Sequence, residues 1–158
     1  MQQKIEIKIA LLKKCEELLT EKKVHYEHEM EETQQEANKF KGAMESRYDT
    51  FKEELQDRKN HLAVQLNQIL YDINLLKKIQ PLIHDTIRLS SIIETVDNLG
   101  EKSNYFIFSD FTSTPILIGG KSYKLLNLST PLGLVFKDKK INSEIIFRDK
   151  HMKIIELF

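Results

Sequence analysis

Apolar residues recur every seventh position through the first half of the chain: Tyr48, Leu55, Leu62, Ile69, Leu76 and Ile83. The companion row, Phe51, Arg58, Gln65, Asp72 and Ile79, is mostly polar, with Leu66 and Ile73 beside it. An earlier series runs Leu12, Leu19, Tyr26, Thr33 and Phe40, with Met30 and Ala37 alongside. A seven-residue apolar repeat buries one stripe of a helix against a partner helix. Two such stripes separated by Gly42 predict an antiparallel helical hairpin over 1–80, with arms roughly 50 Å long. Its polar rows imply a thin seam.

The turn is expected at 41–47. Gly42 can adopt the left-handed conformation that ends a helix. Ser46 to Asp49 reads as a capping box with Ser46 as N-cap. Pro81 disfavours helix at Gln80 and should end the second arm.

Beyond residue 80 the pattern changes. All three prolines and four of the five glycines lie there. Residues 81–93 read as a connector, with room for a short helical turn. Short apolar runs bounded by turn residues follow. Strands are expected at Ile92–Val96, Tyr105–Ser109, Pro115–Ile118, Lys121–Leu126, Ser143–Phe147 and Met152–Leu157. Gly119-Gly120 reads as a tight hairpin turn, and Arg148-Asp149-Lys150 as the last one. Ser129-Thr130-Pro131-Leu132-Gly133 opens a short helix, with hydroxyls to cap it and proline at its first position. The class is therefore α+β, a coiled-coil hairpin followed by an antiparallel sheet domain over 94–158 with one short helix.

Charge narrows the function. Lys plus Arg and Asp plus Glu each number 24, which argues against a general nucleic-acid binder. The single cysteine, Cys15, allows no internal disulfide and fits a reducing compartment. No signal-like apolar core opens the sequence, and no run reaches membrane-spanning length. A cytoplasmic location with no membrane partner is expected.

Candidate chemistry is sparse. His25, His28, Glu29 and Glu32 could share one helix face, but bundle metal sites need ligands from several facing helices. A solvated acidic face is the better reading. Glu27, Glu31 and Glu36 extend that acidic stretch and would suit a basic partner or simply keep the hairpin soluble. Lys39, Lys41, Arg47 and Lys52 place a small basic cluster near the turn. Cys15 reads as a buried small hydrophobe. Tyr105, Phe106, Phe108 and Phe111 read as core rather than a base-stacking platform. No phosphate loop, catalytic triad or zinc spacing occurs.

The order of these pieces resembles the Gre family of bacterial transcript-cleavage factors. The local match is Leu128-Ser129-Thr130-Pro131-Leu132-Gly133 through Lys137-Asp138-Lys139-Lys140, which resembles the family's Ser-Pro-hydrophobic-Gly helix and following turn. Gly119 to Tyr123 and Ile145 to Phe147 fit the family's strand spacing. The resemblance covers essentially the whole chain. It implies an FKBP-like C-terminal domain that docks on RNA polymerase. It also implies a monomer whose hairpin enters the secondary channel, close to RNA and DNA. Two tip carboxylates of the family help hold magnesium at the polymerase active site. That active site belongs to the polymerase, so the resemblance implies a factor that is not itself an enzyme and has no cofactor of its own.

This sequence departs from that tip. With Gly42 on the family's glycine, Ala43 and Ser46 occupy the carboxylate positions, Met44 the leucine position and Arg47 the asparagine position. The resemblance then implies a channel-binding factor that modulates elongation without stimulating cleavage. Glu45 and Asp49, four residues apart, are the alternative metal ligands, against solvated or capping roles. The rival reading is a coiled-coil adaptor unrelated to polymerase.

Overall fold

The computed structural model describes residues 1–39 and 45–158, the side chains of 45–48 excepted. Two long helices, α1 (Gln2–Lys39) and α2 (Glu45–Lys78), come first. Strands β1 (Ile92–Asp97), β2 (Lys102–Ile107), β3 (Ile116–Ile118) and β4 (Lys121–Leu126) follow. Helix α3 (Pro131–Phe136) and strands β5 (Glu144–Phe147) and β6 (Lys150–Leu157) complete the order. The chain divides into two compact units, Glu16–Lys77 and a discontinuous one of Met1–Cys15 with Lys78–Phe158.

In the first unit α1 and α2 run antiparallel. Lys59 Nζ donates to Gln34 Oε1 at 2.6 Å, and Arg58 pairs with Glu36 at 3.8 Å. Leu55, Leu62, Ile69 and Leu76 are buried, as the seven-residue row predicts. Each such side chain contributes roughly 1.5–3 kcal/mol by leaving water. From α1, Leu19 and Thr33 are buried. Thr33 satisfies its hydroxyl by donating to the Glu29 carbonyl at 2.8 Å, so it can sit in the seam without a cross-helix partner. Asp72 is also buried and accepts from Gln68 Nε2 at 3.1 Å. The row ends earlier than expected: α2 stops at Lys78, and Ile83 lies beyond it, exposed.

The second unit is a six-stranded sheet in the order β3-β4-β2-β1-β6-β5. It is not wholly antiparallel, because β2 and β4 pair in parallel from Asn104↔Tyr123 to Ile107↔Leu126. Residues 108–120, including β3, lie between those two strands in sequence, and they let β4 run in the same direction as β2. Gly119 and Gly120, both at positive φ, form the turn between β3 and β4. Arg148 and Asp149 do the same between β5 and β6 without glycine. One sheet face buries Ile93, Ile107, Ile145, Met152 and Ile154 against Phe136 of α3. Phe106 and Phe108 are buried and stack at 6.2 Å, while Tyr105 and Phe111 are half-buried. Residues 82–91 contain no helix; their contacts are irregular, such as Ile87 N to the Lys139 carbonyl at 2.8 Å.

Within this unit the first turns of α1 lie against the strands. Lys4 pairs with Glu156 at 2.8 Å, and its ammonium sits 4.9 Å from the centre of the Phe158 ring. Leu11, one position off the expected Leu12, is fully buried, and so is Cys15, as expected.

Candidate functional site

The loop before α3 is built around Asn127. Its side-chain oxygen accepts from Ser129 N at 2.9 Å, and its carbonyl accepts from the Thr130 hydroxyl at 2.7 Å. Thr130 is the N-cap and accepts from Gly133 N at 3.1 Å. Pro131, whose missing N–H costs nothing at a first helical position, follows it. Gly133 is buried against the same loop: a Cβ there would meet the Asn127 carbonyl oxygen at 2.0 Å. The three motif residues therefore differ in role. Ser129 and Pro131 are exposed at the surface, whereas Gly133 lets α3 close onto its own capping loop.

At the other end of the sequence motif, Gly42, Ala43 and Met44 lie outside the described residues, as do the side chains of Glu45, Ser46 and Arg47. The helix α2 opens at Glu45, so Ser46 lies inside the helix and not at its expected N-cap. Asp49 is exposed. The acidic stretch of α1 forms neighbouring pairs four residues apart: Lys23–Glu27 at 3.5 Å, His25–Glu29 at 3.4 Å and His28–Glu32 at 3.6 Å. Such pairs make a solvated face. Among the described residues no three His, Cys, Asp or Glu side chains gather to hold a metal ion. None of the described helices is long and apolar enough to cross a membrane.

Cys15 is buried, and burial pushes its thiol up to about 12, so it carries no nucleophilic thiolate at neutral pH.

Two polar clusters escaped the sequence reading. In the first, Lys8 is only 1% exposed and donates to the Leu82 carbonyl. Burial, and then the Arg88 charge, lower its pKa to about 8. Arg88 Nε donates to His84 Nδ1 at 2.9 Å, and His84 Nε2 lies 3.2 Å from the Ser90 hydroxyl. The Ser90–His84 pair has the outline of a nucleophile and base. A guanidinium, however, donates to the nitrogen that a carboxylate would orient, so the neutral ring carries its proton on Nε2, the nitrogen facing the Ser90 hydroxyl. Lys8 was legible in principle: it stands three and seven residues before Leu11 and Cys15, on the buried stripe itself.

In the second cluster, Glu94 is 8% exposed on β1. It accepts from Lys102 at 2.9 Å and Lys121 at 3.2 Å. The Lys102 hydrogen bond, then that of Lys121, hold its carboxyl below the usual range against the opposing effect of burial. Its cross-strand neighbour on β6 is Glu156. Both carboxylates line a groove of about 260 Å³ with Lys4, Lys121, Tyr123 and Phe158. Each of these charges has an opposite partner on the strands or α1, Glu94 being shared between Lys102 and Lys121.

The described chain thus belongs to the class of helical-hairpin proteins with a small mixed sheet domain. No protein-family model matches the sequence, and no curated protein matches it. Among solved structures it is similar to GreA factor homolog 1 (Gfh1) of Thermus thermophilus, at 14% identity and a TM-score of 0.37 over 90% of this chain and 94% of that one. It is likewise similar to Gfh1 of Thermus aquaticus, at 13% identity and a TM-score of 0.36 over 89% and 92%. A third structure, of the transcription factor Gfh1, gives 13% identity and a TM-score of 0.36 over 90% and 92%.

Proposed function

We propose that the protein is a Gre-like accessory factor of RNA polymerase, cytoplasmic, that enters the secondary channel as a single copy and modulates elongation. The observation that carries this reading is the resemblance of Ser129-Thr130-Pro131-Leu132-Gly133 to the Gre helix motif, placed downstream of a long hairpin. The Asn127–Gly133 contact gives that motif a physical reason, since Thr130 caps the helix and only glycine fits against the capping loop.

The factor carries out no chemistry of its own in this reading and does not stimulate transcript cleavage. Ala43 and Ser46 stand where the family places its metal-holding carboxylates. A methyl and a hydroxyl supply no anionic ligand for magnesium. The acidic stretch on α1 would face basic channel walls, bringing the turn near RNA and DNA.

The test is a binding and cleavage assay with host RNA polymerase and a backtracked elongation complex. Binding with altered pausing and no RNA trimming is the expected result. Absence of binding at moderate salt defeats the proposal and leaves the coiled-coil adaptor reading in its place.

A further inference from the structure

A row of polar side chains crosses the sheet on the face turned away from α3. Glu156 of β6, Glu94 of β1, Asn104 of β2 and Tyr123 of β4 are successive cross-strand partners. Directly paired residues point to the same side of a sheet. Ile93, next to Glu94 on β1, points the other way, into the core beneath α3. Gln3, Lys4 and Ile7 of α1 lie opposite the row, and the groove of about 260 Å³ between them has apolar walls at Ile92, Ile118 and Phe158.

Tyr123 is 2% exposed, yet its hydroxyl has no hydrogen-bond partner among the described residues. No side-chain oxygen or nitrogen of theirs that is shut off from solvent lacks a partner. The Tyr123 oxygen therefore opens into the groove that the residue lines, with a proton to donate. Lys121, two residues away on the same strand, shares that face. Donors exceed acceptors throughout the groove. Lys121 pairs with Glu94 at 3.2 Å and Lys4 with Glu156 at 2.8 Å, while Glu94 takes a second bond from Lys102 at 2.9 Å. Three ammonium groups thus meet two carboxylates, which leaves one positive charge in excess and ammonium hydrogens still to give.

We propose that this groove binds a small monocarboxylate with an apolar body, its carboxylate accepting from Tyr123 and Lys121 and its hydrocarbon lying between Ile7, Ile118 and Phe158. The excess of one charge matches a single carboxylate. The volume lies below the roughly 300–1,000 Å³ of drug-sized sites, so an acid of one ring or one short branched chain fits. Such a ligand gains at both ends, from charge-assisted hydrogen bonds and from apolar surface removed from water. This inference goes beyond the polymerase reading and does not depend on it.

Titration of the purified full chain, followed by amide NMR, tests it. The probes are phenylacetate and isovalerate, with phenethylamine as the cationic control, up to about 10 mM, since ligands of this size bind at about millimolar strength. Both acids should give saturable shifts centred on Glu94, Asn104, Lys121 and Tyr123, and the amine should give none. Tyr123→Phe keeps the ring and Lys121→Met keeps the stem; each should raise the dissociation constant about tenfold. The melting temperature of each variant checks that it is folded, and the map of shifts on the natural sequence stands whether or not the variants fold. The proposal is overturned if neither acid gives saturable shifts, if the amine gives the same shifts, or if the shifts centre on the exposed lysines at 137–140. Unchanged affinity in either folded variant overturns it as well.

Discussion

Arg88 donates its Nε hydrogen to His84 Nδ1 at 2.9 Å, which fixes the imidazole as the neutral tautomer bearing its proton on Nε2, toward Ser90. Burial, then the Lys8 and Arg88 charges, lower the His84 pKa; exposed Asp85 opposes them. A histidine held neutral binds fewer protons folded than unfolded. Its stabilising effect is therefore complete above the unfolded value near 6.5 and is lost as pH falls through the lower folded value. Thermal melting should drop on acidification below about pH 6.5. The drop should be shallower in His84→Gln, whose amide oxygen still accepts from Arg88. Equal slopes for the two proteins would remove His84 from the account.

Lys8 behaves in the same direction on the alkaline side. Its pKa falls from the ordinary 10.5 to about 8, so the folded chain pays to keep it charged at neutral pH. That difference corresponds to about 3 kcal/mol, offset in part by the bond to the Leu82 carbonyl. Stability should rise between about pH 8 and pH 10 as the unfolded chain, and not the folded one, keeps the proton. Lys8→Met should be at least as stable as wild type at pH 7 and should lose this rise. Urea midpoints at pH 7 and pH 9.5 would measure both effects.

Gly133→Ala should be among the most damaging single-methyl additions to the sheet unit. The new carbon would overlap the Asn127 carbonyl at 2.0 Å and Leu128 Cα at 2.7 Å, both backbone atoms that cannot rotate away. A loss of about 2 kcal/mol or more is expected, compared with under 0.5 kcal/mol for an exposed neighbour such as Leu134→Ala. Denaturant titration of the two variants gives the comparison directly.

The missing tip carboxylates can be put back. If the proposed function holds, Ala43→Asp with Ser46→Glu should create magnesium-dependent trimming of backtracked RNA where the natural sequence gives none. Trimming by the unaltered protein that disappears in Glu45→Ala with Asp49→Ala would instead establish those two residues as substitute ligands.

Much of the fold could be read in advance, because its signals are local. The Leu55–Leu76 row, the Gly119-Gly120 turn and the Thr130-Pro131 helix start each lie within a few residues. The second expected strand was misplaced, since Lys102, Ser103 and Asn104 are polar; they pair with β1 because Lys102 reaches the buried Glu94 carboxylate. The parallel partnership of β2 and β4 had no local signature, as it joins segments about nineteen residues apart. The Lys8–His84–Arg88 cluster was hidden for the same reason: its members come from distant stretches, and only Lys8 interrupts a pattern. Of the expected site, the α3 motif was legible because capping chemistry is local. The tip residues, by contrast, gained their meaning only from a family comparison.

The sheet unit is assembled from two pieces of chain separated by the whole hairpin. Lys4 meets Glu156 and the Phe158 ring only once the last strand exists. During synthesis at about 5–20 residues per second, the opening helix therefore waits on the order of ten seconds for its partner. Throughout that interval the first turns of α1 stand without the strand partners that Lys4 has in the finished fold.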